Sequence, residues 1–574
     1  MRRFFKDNWK TIYFLLLLIN LFLGFYDFLP NLSEINGWDE AKYINQGRFL
    51  MEGRLPTFAD NPFLSLFYGI LYLPLIKSPF WLIQCCSLGR FVLFFLNWLA
   101  TYLIARELEE FAHPLIMLGL FLISPLSTLL LNNPSDGLFA ALSGLAFWQI
   151  LRYFKSRQPR NLIICSTIIG LSALSRNDGV VLWAILLALV LFITGFNRQL
   201  TRILLYSAIP FIVLTGGYVL IYGSITGDYS LHIQERSYTA FEQGHELAFD
   251  SPGINSPTIN AMLDSRATYG TGEENHYSPI LAILRNPPAY FERLKIIVAG
   301  LPPKFLDVYN KKMAVLLLLL AIRGIWELVQ QRKGRLLVLL LVWPAYLFTY
   351  FLTFFRTGYL RTPFFILFAL AAIGLTALIN HLEKRRETGL WSGALALAIL
   401  FGIIDNKLAI FYGAGLFLIA IWFVYWLRKH FLDARRSAAV SLLLFLCVGL
   451  ILRGNFASPR FHIPGSAPDE QAAKYMIDNF APGTVVLAGG PGAVWEAKME
   501  FASLVGTDIP DIQTGEQFID WLNENNFQAI YLDFSISRDL PHFWDMIQEQ
   551  DGKGLREVFS VDNGSIRIYL VNPV

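Results

Sequence analysis

Long apolar stretches recur along this chain, and they constrain its fold more than any other feature. They lie at roughly 11–29, 87–105, 114–131, 137–153, 161–175, 180–196, 203–222, 313–330, 336–354, 362–380, 389–404, 407–427 and 437–453. A helix needs about 20 apolar residues to cross the hydrocarbon core of a bilayer. Inside that core, backbone amides are satisfied only within a helix or a closed barrel. The pattern predicts an all-α polytopic membrane protein with about 13 transmembrane helices. Only 16% of the 574 residues are charged and 55% are hydrophobic, whereas a soluble chain carries about a quarter charged residues. The first stretch is too long, and too poorly flanked by small residues, for a cleaved signal peptide, so it is expected to stay as a helix.

Charge predicts the orientation. Residues 461–574 hold 6 Lys+Arg and 17 Asp+Glu, so the basic excess lies in the rest of the chain. With Arg2, Arg3, Lys6 and Lys10 placed in the cytoplasm, alternate short loops collect Arg152, Lys155, Arg157 and Arg160, then Arg198 and Arg202. Further on they collect Arg332, Lys333 and Arg335, then Lys384, Arg385 and Arg386, and last Arg428, Lys429, Arg435 and Arg436. The opposite loops are nearly free of them, as the positive-inside rule requires. The pattern predicts a multi-pass protein of the cell (inner or plasma) membrane, with the amino terminus cytoplasmic. The apolar segment 63–80 is interrupted by Gly69, Pro74, Lys77 and Pro79. As a full span it would turn every later basic loop outward, so it reads as a helix in the outer interface. The membrane domain is then 1–454, with long outer segments 30–86 and 223–312. Nucleic-acid binding is not suggested, because the basic residues are scattered among membrane loops.

Residues 455–574 read as a small extracytoplasmic α/β domain. Helices are expected at Asp469–Phe480, Glu516–Asn526 and Leu540–Gln550, and strands at Thr484–Ala488 and Ala529–Asp533. A closing hairpin of Glu557–Val561 and Ser565–Val571 is expected around Asp562-Asn563-Gly564. The run Gly489-Gly490-Pro491-Gly492 reads as a plain turn, since no phosphate-loop Lys-Ser/Thr follows it. The four cysteines all fall in apolar segments without metal or disulfide spacing and read as small buried hydrophobes.

Polar residues gather at the outer ends of the expected spans. Asp39 and Glu40 stand just past the first span, in Asn36-Gly37-Trp38-Asp39-Glu40-Ala41-Lys42-Tyr43. A carboxylate at a lipid–water boundary suits a general base that deprotonates an acceptor hydroxyl; capping of a local helix fits the same residues. Asp136, in Asn132-Asn133-Pro134-Ser135-Asp136-Gly137, fits a second acid or a plain helix start. Arg176, in Ser175-Arg176-Asn177-Asp178-Gly179, is a cation on the outer side, against the charge trend, and so suggests an anionic partner such as a phosphate. Arg356, Tyr359 and Arg361 share the short loop Phe355-Arg356-Thr357-Gly358-Tyr359-Leu360-Arg361-Thr362-Pro363. They suit a lipid phosphate or diphosphate, or anchoring at the interface. His232, His245 and His276 lack the i, i+4 spacing of a metal site, so a divalent metal is not indicated and no cofactor is assigned.

These pieces, in this order, resemble the GT-C superfamily of membrane glycosyltransferases, nearest its protein O-mannosyltransferase and lipid A aminoarabinose transferase group. The resemblance rests on Asp39-Glu40-Ala41-x-Tyr43, Gly47-Arg48-Phe49-Leu50, Gly53-Arg54-Leu55-Pro56 and Asn61-Pro62-Phe63-Leu64. Ser124-Pro125, Asp136, Gly170-Leu171-Ser172-Ala173-Leu174-Ser175-Arg176 and Arg356-x-x-Gly358-Tyr359-x-x-x-Pro363 continue it. It covers most of the first 380 residues. It implies a polyprenyl-phosphate-linked sugar as donor and a protein, lipid or glycan as acceptor. Asp39 takes the place of the catalytic acid, with Asp136 positioning the acceptor, and Arg176, Arg356 and Arg361 stabilise the departing phosphate. Here Asn61 stands where many relatives have a basic residue, and Lys42 or Arg54 would replace that phosphate contact. Two other classes are weighed: a transporter or flippase of lipid-linked sugars, and a polysaccharide ligase or polymerase. Spans nearly clean at their centres favour surface chemistry over passage.

Overall fold

The structure is a computed structural model. It describes residues 37–54, 62–124, 133–381 without 197, 228, 232–233, 250–261, 310 and 356, and 468–571 without 482, 505–511, 513, 534–540 and 562–565, besides five residues near the amino terminus. The chain divides into two units. One holds most of the apolar helices. The other holds residues 29–58, 64–91 and the chain from 459 onward.

The helices up to the first basic loop are α1 (Gly37–Met51), α2 (Pro62–Tyr72), α3 (Trp81–Glu107), α4 (Pro114–Ile123) and α5 (Pro134–Ser156). Then come α6 (Pro159–Ala173), α7 (Asp178–Thr194) and α8 (Leu200–Thr226). Several begin on proline, whose missing N–H costs nothing in a first turn. Segment 223–312 continues with α9 (Gln234–Phe249), α10 (Met262–Tyr269), α11 (Pro279–Arg285) and α12 (Pro287–Val308). Next are α13 (Lys311–Gln330), α14 (Gly334–Val342), α15 (Phe348–Leu352) and α16 (Phe364–His381).

Among the described residues, four stretches are long and apolar enough to cross a membrane: α3, α5, α8 and Gly334–Leu352. The expected spans at 87–105, 137–153 and 203–222 fall within the first three. The stretch Pro62–Leu75 is apolar but short; at 1.5 Å per residue it falls short of a bilayer core. The expected spans at 389–404, 407–427 and 437–453, and nearly all of 11–29, lie outside the described residues. Two spans differ in detail from expectation. The stretch 336–354 is broken by a 3₁₀ turn at Trp343–Leu347, where Pro344 removes a helical donor. The stretch 313–330 is not clean at its centre: Arg323 is buried and pairs with Glu327 at 2.8 Å, one turn along the same helix.

The larger unit is held by close crossings. Helices α13 and α16 pack most extensively, and a Cβ added at Gly374 would lie 1.9 Å from the Leu320 carbonyl. Gly324 meets the Leu370 carbonyl in the same way. Without a hydrophobic drive between helices in lipid, small residues that admit backbone contact hold such pairs. The segment 223–312 has its own aromatic cluster of Tyr238, Phe241, Tyr269 and Tyr290. Arg293 is buried beside it, donating to the carbonyls of Phe241 and Thr353. Burial pulls its pKa down to about 10.

The carboxy-terminal part folds as expected into an α/β layer. Its elements are α17 (Pro468–Asn479), β1 (Val485–Ala488), α18 (Gly492–Glu496), β2 (Glu500–Ser503), α19 (Gly515–Glu524), β3 (Ala529–Leu532), α20 (Pro541–Glu549), β4 (Leu555–Val561) and β5 (Ile566–Val571). The sheet order is β2-β1-β3-β5-β4. Strands β2, β1 and β3 run parallel; β5 pairs antiparallel with β3 and β4. Apolar clusters cover both faces, one around Met476, Val486 and Ile568, the other around Leu487, Phe518 and Ile547. A capping box of Thr514 and Gln517 starts α19. Strand β2 has no apolar alternation to announce it.

Candidate active site

Asp39 and Glu40 both lie within α1. Asp39 therefore stands inside the helix, not ahead of it as a cap; its side chain lies outside the described residues. Glu40 is completely buried. Arg90 on α3 grips it with two groups, Nη2 to Oε2 at 2.5 Å and Nε to Oε1 at 3.2 Å. Tyr68 on α2 donates its hydroxyl to Oε1 at 3.2 Å. A buried carboxylate held in this fashion joins three helices at one point. The backbone is equally tight: a Cβ at Gly47 would lie 2.5 Å from Gly69 N, and one at Gly89 would lie 2.4 Å from the Tyr68 ring. Lys42, on the same helix, is half-buried.

Four of the other sequence-predicted residues come together in the larger unit. Asp136 sits in the first turn of α5, and Arg176 in the turn between α6 and α7. Arg176 Nη1 pairs with Asp136, and its Nε donates to Asp178 Oδ2 at 3.0 Å. Its Nη2 donates to the Tyr350 hydroxyl at 3.4 Å, and its guanidinium lies 4.9 Å from the centre of the Tyr359 ring. Tyr350 donates to Asp178 Oδ2 at 2.6 Å and stacks on Tyr359 at 4.0 Å. Three of the five guanidinium donors are thus committed to protein groups. Arg176 thus lies between two carboxylates, and Arg361 also acts on one of them, Asp136.

Arg361 is a second cation, within electrostatic reach of Asp136. It ends the 3₁₀ turn Thr357–Arg361, and burial lowers its pKa from the usual arginine value, with Asp136 and Tyr309 opposing the shift. Desolvation of this kind favours a nearby anion. Gly358 lies beside Asp136, since a Cβ there would be 3.5 Å from Oδ2. Tyr309 donates to the Leu360 carbonyl at 3.0 Å and steadies the loop. Arg356 lies outside the described residues.

Sequence reasoning missed Arg90, Tyr68, Asp178 and Tyr350. Arg90 had a signal: a lone cation within the apolar run 81–105. Asp178 stood in the polar turn already singled out for Arg176. Nothing local marks Tyr68 or Tyr350 among many aromatic residues. Of the histidines, His245 packs on Phe249 and Tyr269, and His232 lies outside the described residues. Among the described residues, no group of three or more His, Cys, Asp or Glu is placed to hold a metal.

No family model and no curated protein matches the chain. Solved structures do. ArnT from Cupriavidus metallidurans in the apo state is similar over 98% of this chain and 98% of its own, at 14% identity and a TM-score of 0.55. The same enzyme bound to undecaprenyl phosphate aligns over the same shares at 12% identity and a TM-score of 0.56. The chain has the GT-C fold. The archaeal oligosaccharyltransferase AglB from Archaeoglobus fulgidus aligns with 98% of the chain and 74% of its own, at 15% identity and a TM-score of 0.45. In this fold, α1, most of α2 and the start of α3 form the corner that carries the Asp39-Glu40 pair, and the carboxy-terminal α/β layer belongs to the same unit.

Proposed function

We propose that this protein is an inverting glycosyltransferase that moves a sugar from a polyprenyl-phosphate donor to an acceptor nucleophile on the outer face of the membrane. The observation that carries the reading is the grip of Arg90 and Tyr68 on Glu40, which fixes the helix start bearing Asp39. The GT-C fold supports it, as does the undecaprenyl phosphate bound by the similar ArnT.

In this reading, Asp39 takes the proton of the acceptor as its oxygen attacks the anomeric carbon. The bond from that carbon to the phosphate oxygen breaks, and polyprenyl phosphate leaves with the electron pair. Arg361 and Arg356 neutralise the departing phosphate. Asp136, Arg176, Asp178, Tyr350 and Tyr359 hold the loop from which Arg361 projects. Glu40 positions Asp39 and does not itself exchange protons with substrate. Lys42 is a further candidate for the phosphate.

Asp39→Asn should lower transfer from a polyprenyl-phosphate sugar by about 10²–10⁴-fold with donor binding retained. Transfer at the wild-type rate would remove Asp39 from the base role. Arg361→Ala should instead raise the KM for the donor.

A further inference from the structure

The soluble domain ends its short helix α18 on Glu496, a carboxylate that is only 4% exposed. Its Oε2 accepts from the backbone N–H of Ile83 at 3.3 Å, and the N–H of Leu82 also donates to the carboxyl group. These are two of the first N–H groups of α3, which have no acceptor within their own helix. Glu496 therefore caps α3 from more than 400 residues away in sequence. Its backbone carbonyl accepts from Trp81 Nε1 at 3.1 Å, and Lys498 Nζ donates to the Ile76 carbonyl at 3.2 Å. Trp81 is itself enclosed: Arg48 of α1 lies 5.3 Å above its ring, and Tyr72 of α2 meets its edge at 5.1 Å. Helix α18 also packs on α1.

Arg90 lies two turns beyond Ile83 on α3 and holds Glu40, the neighbour of Asp39. The cap therefore acts at one end of a short rigid path whose other end is the carboxylate pair. We infer that the carboxy-terminal α/β domain is a positioning element for α1, acting through Glu496, which holds the start of α3 and with it the Arg90–Glu40 pair. Its link to catalysis rests on the glycosyltransferase reading; the clamp does not.

The path has a built-in pH response. Burial, with Glu470 adding to it, pushes the Glu496 carboxyl up to about 8; the two backbone donors and Lys498 oppose this. Among the described residues, Arg48 of α1, Tyr72 of α2 and Cys85 of α3 are further titratable groups nearby. A raised carboxyl pKa means that the docked state favours the protonated acid. Docking is then complete below the ordinary carboxylate range, weakens as pH rises toward 8 and levels off above it.

Hydrogen exchange on the full-length protein in detergent tests the clamp, comparing wild type, Glu496→Ala and Glu496→Gln from pH 6 to 9 after correction for intrinsic exchange. Glu496→Ala should speed exchange about fivefold in segments 81–90 and 37–51, the loss expected for one helix cap. Glu496→Gln keeps the acceptor and should hold its protection across the range, without the rise in exchange that wild type shows between pH 6 and 8. In a transfer assay Glu496→Ala should lower kcat more than it changes the donor KM, and Glu496→Gln should restore it. Wild-type exchange in either segment of Glu496→Ala, or a wild-type pH response in Glu496→Gln, overturns the inference. A wild-type protein that transfers no sugar would overturn the glycosyltransferase reading and leave the exchange result standing.

Discussion

Glu40, the neighbour of the proposed base Asp39, is held by groups from other helices. Its carboxylate is buried, and Arg90 and Tyr68 donate to it from two other helices. Removing one partner of such a pair strands the other charge in a medium that cannot solvate it, at about 3–5 kcal/mol. Glu40→Gln should therefore lower the thermal midpoint of the purified protein by several degrees. Glu40→Gln combined with Arg90→Met should recover much of that loss, since the stranded cation is gone. A double variant that loses as much as Glu40→Gln and Arg90→Met summed would show that the pair contributes no coupling. The sequence position of Arg176 suggested an anionic partner such as a phosphate, and in the fold Asp136, Asp178 and Tyr350 take three of its donors.

At the scale of elements, the contact of α13 with α16 depends on two glycines that let backbones meet. Gly374→Ala would push a methyl group to 1.9 Å from the Leu320 carbonyl. The helices must separate, at about 1–3 kcal/mol as for other overpacked sites, read as a lower thermal midpoint and less monodisperse protein. Gly217→Ala on α8 meets nothing within 4 Å and is the control; helix propensity predicts no loss there. Equal behaviour of the two variants would remove close backbone contact as the cause. Apolar length alone located most of these helices, because the bilayer requirement is written locally. It did not reveal the break at Trp343–Leu347 or the Arg323–Glu327 pair. Both depend on what the neighbouring helices supply.

At the scale of the whole molecule, the charge pattern places Arg157 in the cytoplasm and Glu273 outside, and both are exposed in the fold. Single cysteines at these positions can be probed in intact cells with a membrane-impermeant maleimide. Cys85, Cys86 and Cys165 are buried and should stay silent, with Cys447 replaced by serine. Glu273→Cys should label directly and Arg157→Cys only after permeabilisation; the reverse pattern would invert the topology.

By itself the sequence determined the membrane class, the positions of most of the described apolar helices and the α/β character of the tail, and it marked the Asp39-Glu40 pair as a candidate. Each follows from a local rule: length against bilayer thickness, alternation in strands, charge beside a span. Only the tertiary structure showed which groups hold the candidate residues. Glu40 is anchored because Arg90 and Tyr68 arrive from other helices, and Arg176 pairs with Asp136 and Asp178. Glu496, unremarkable in the sequence, became the cap of α3. Pairing energies depend on burial and on groups distant in sequence, and neither quantity is carried by the spacing of residues along the chain.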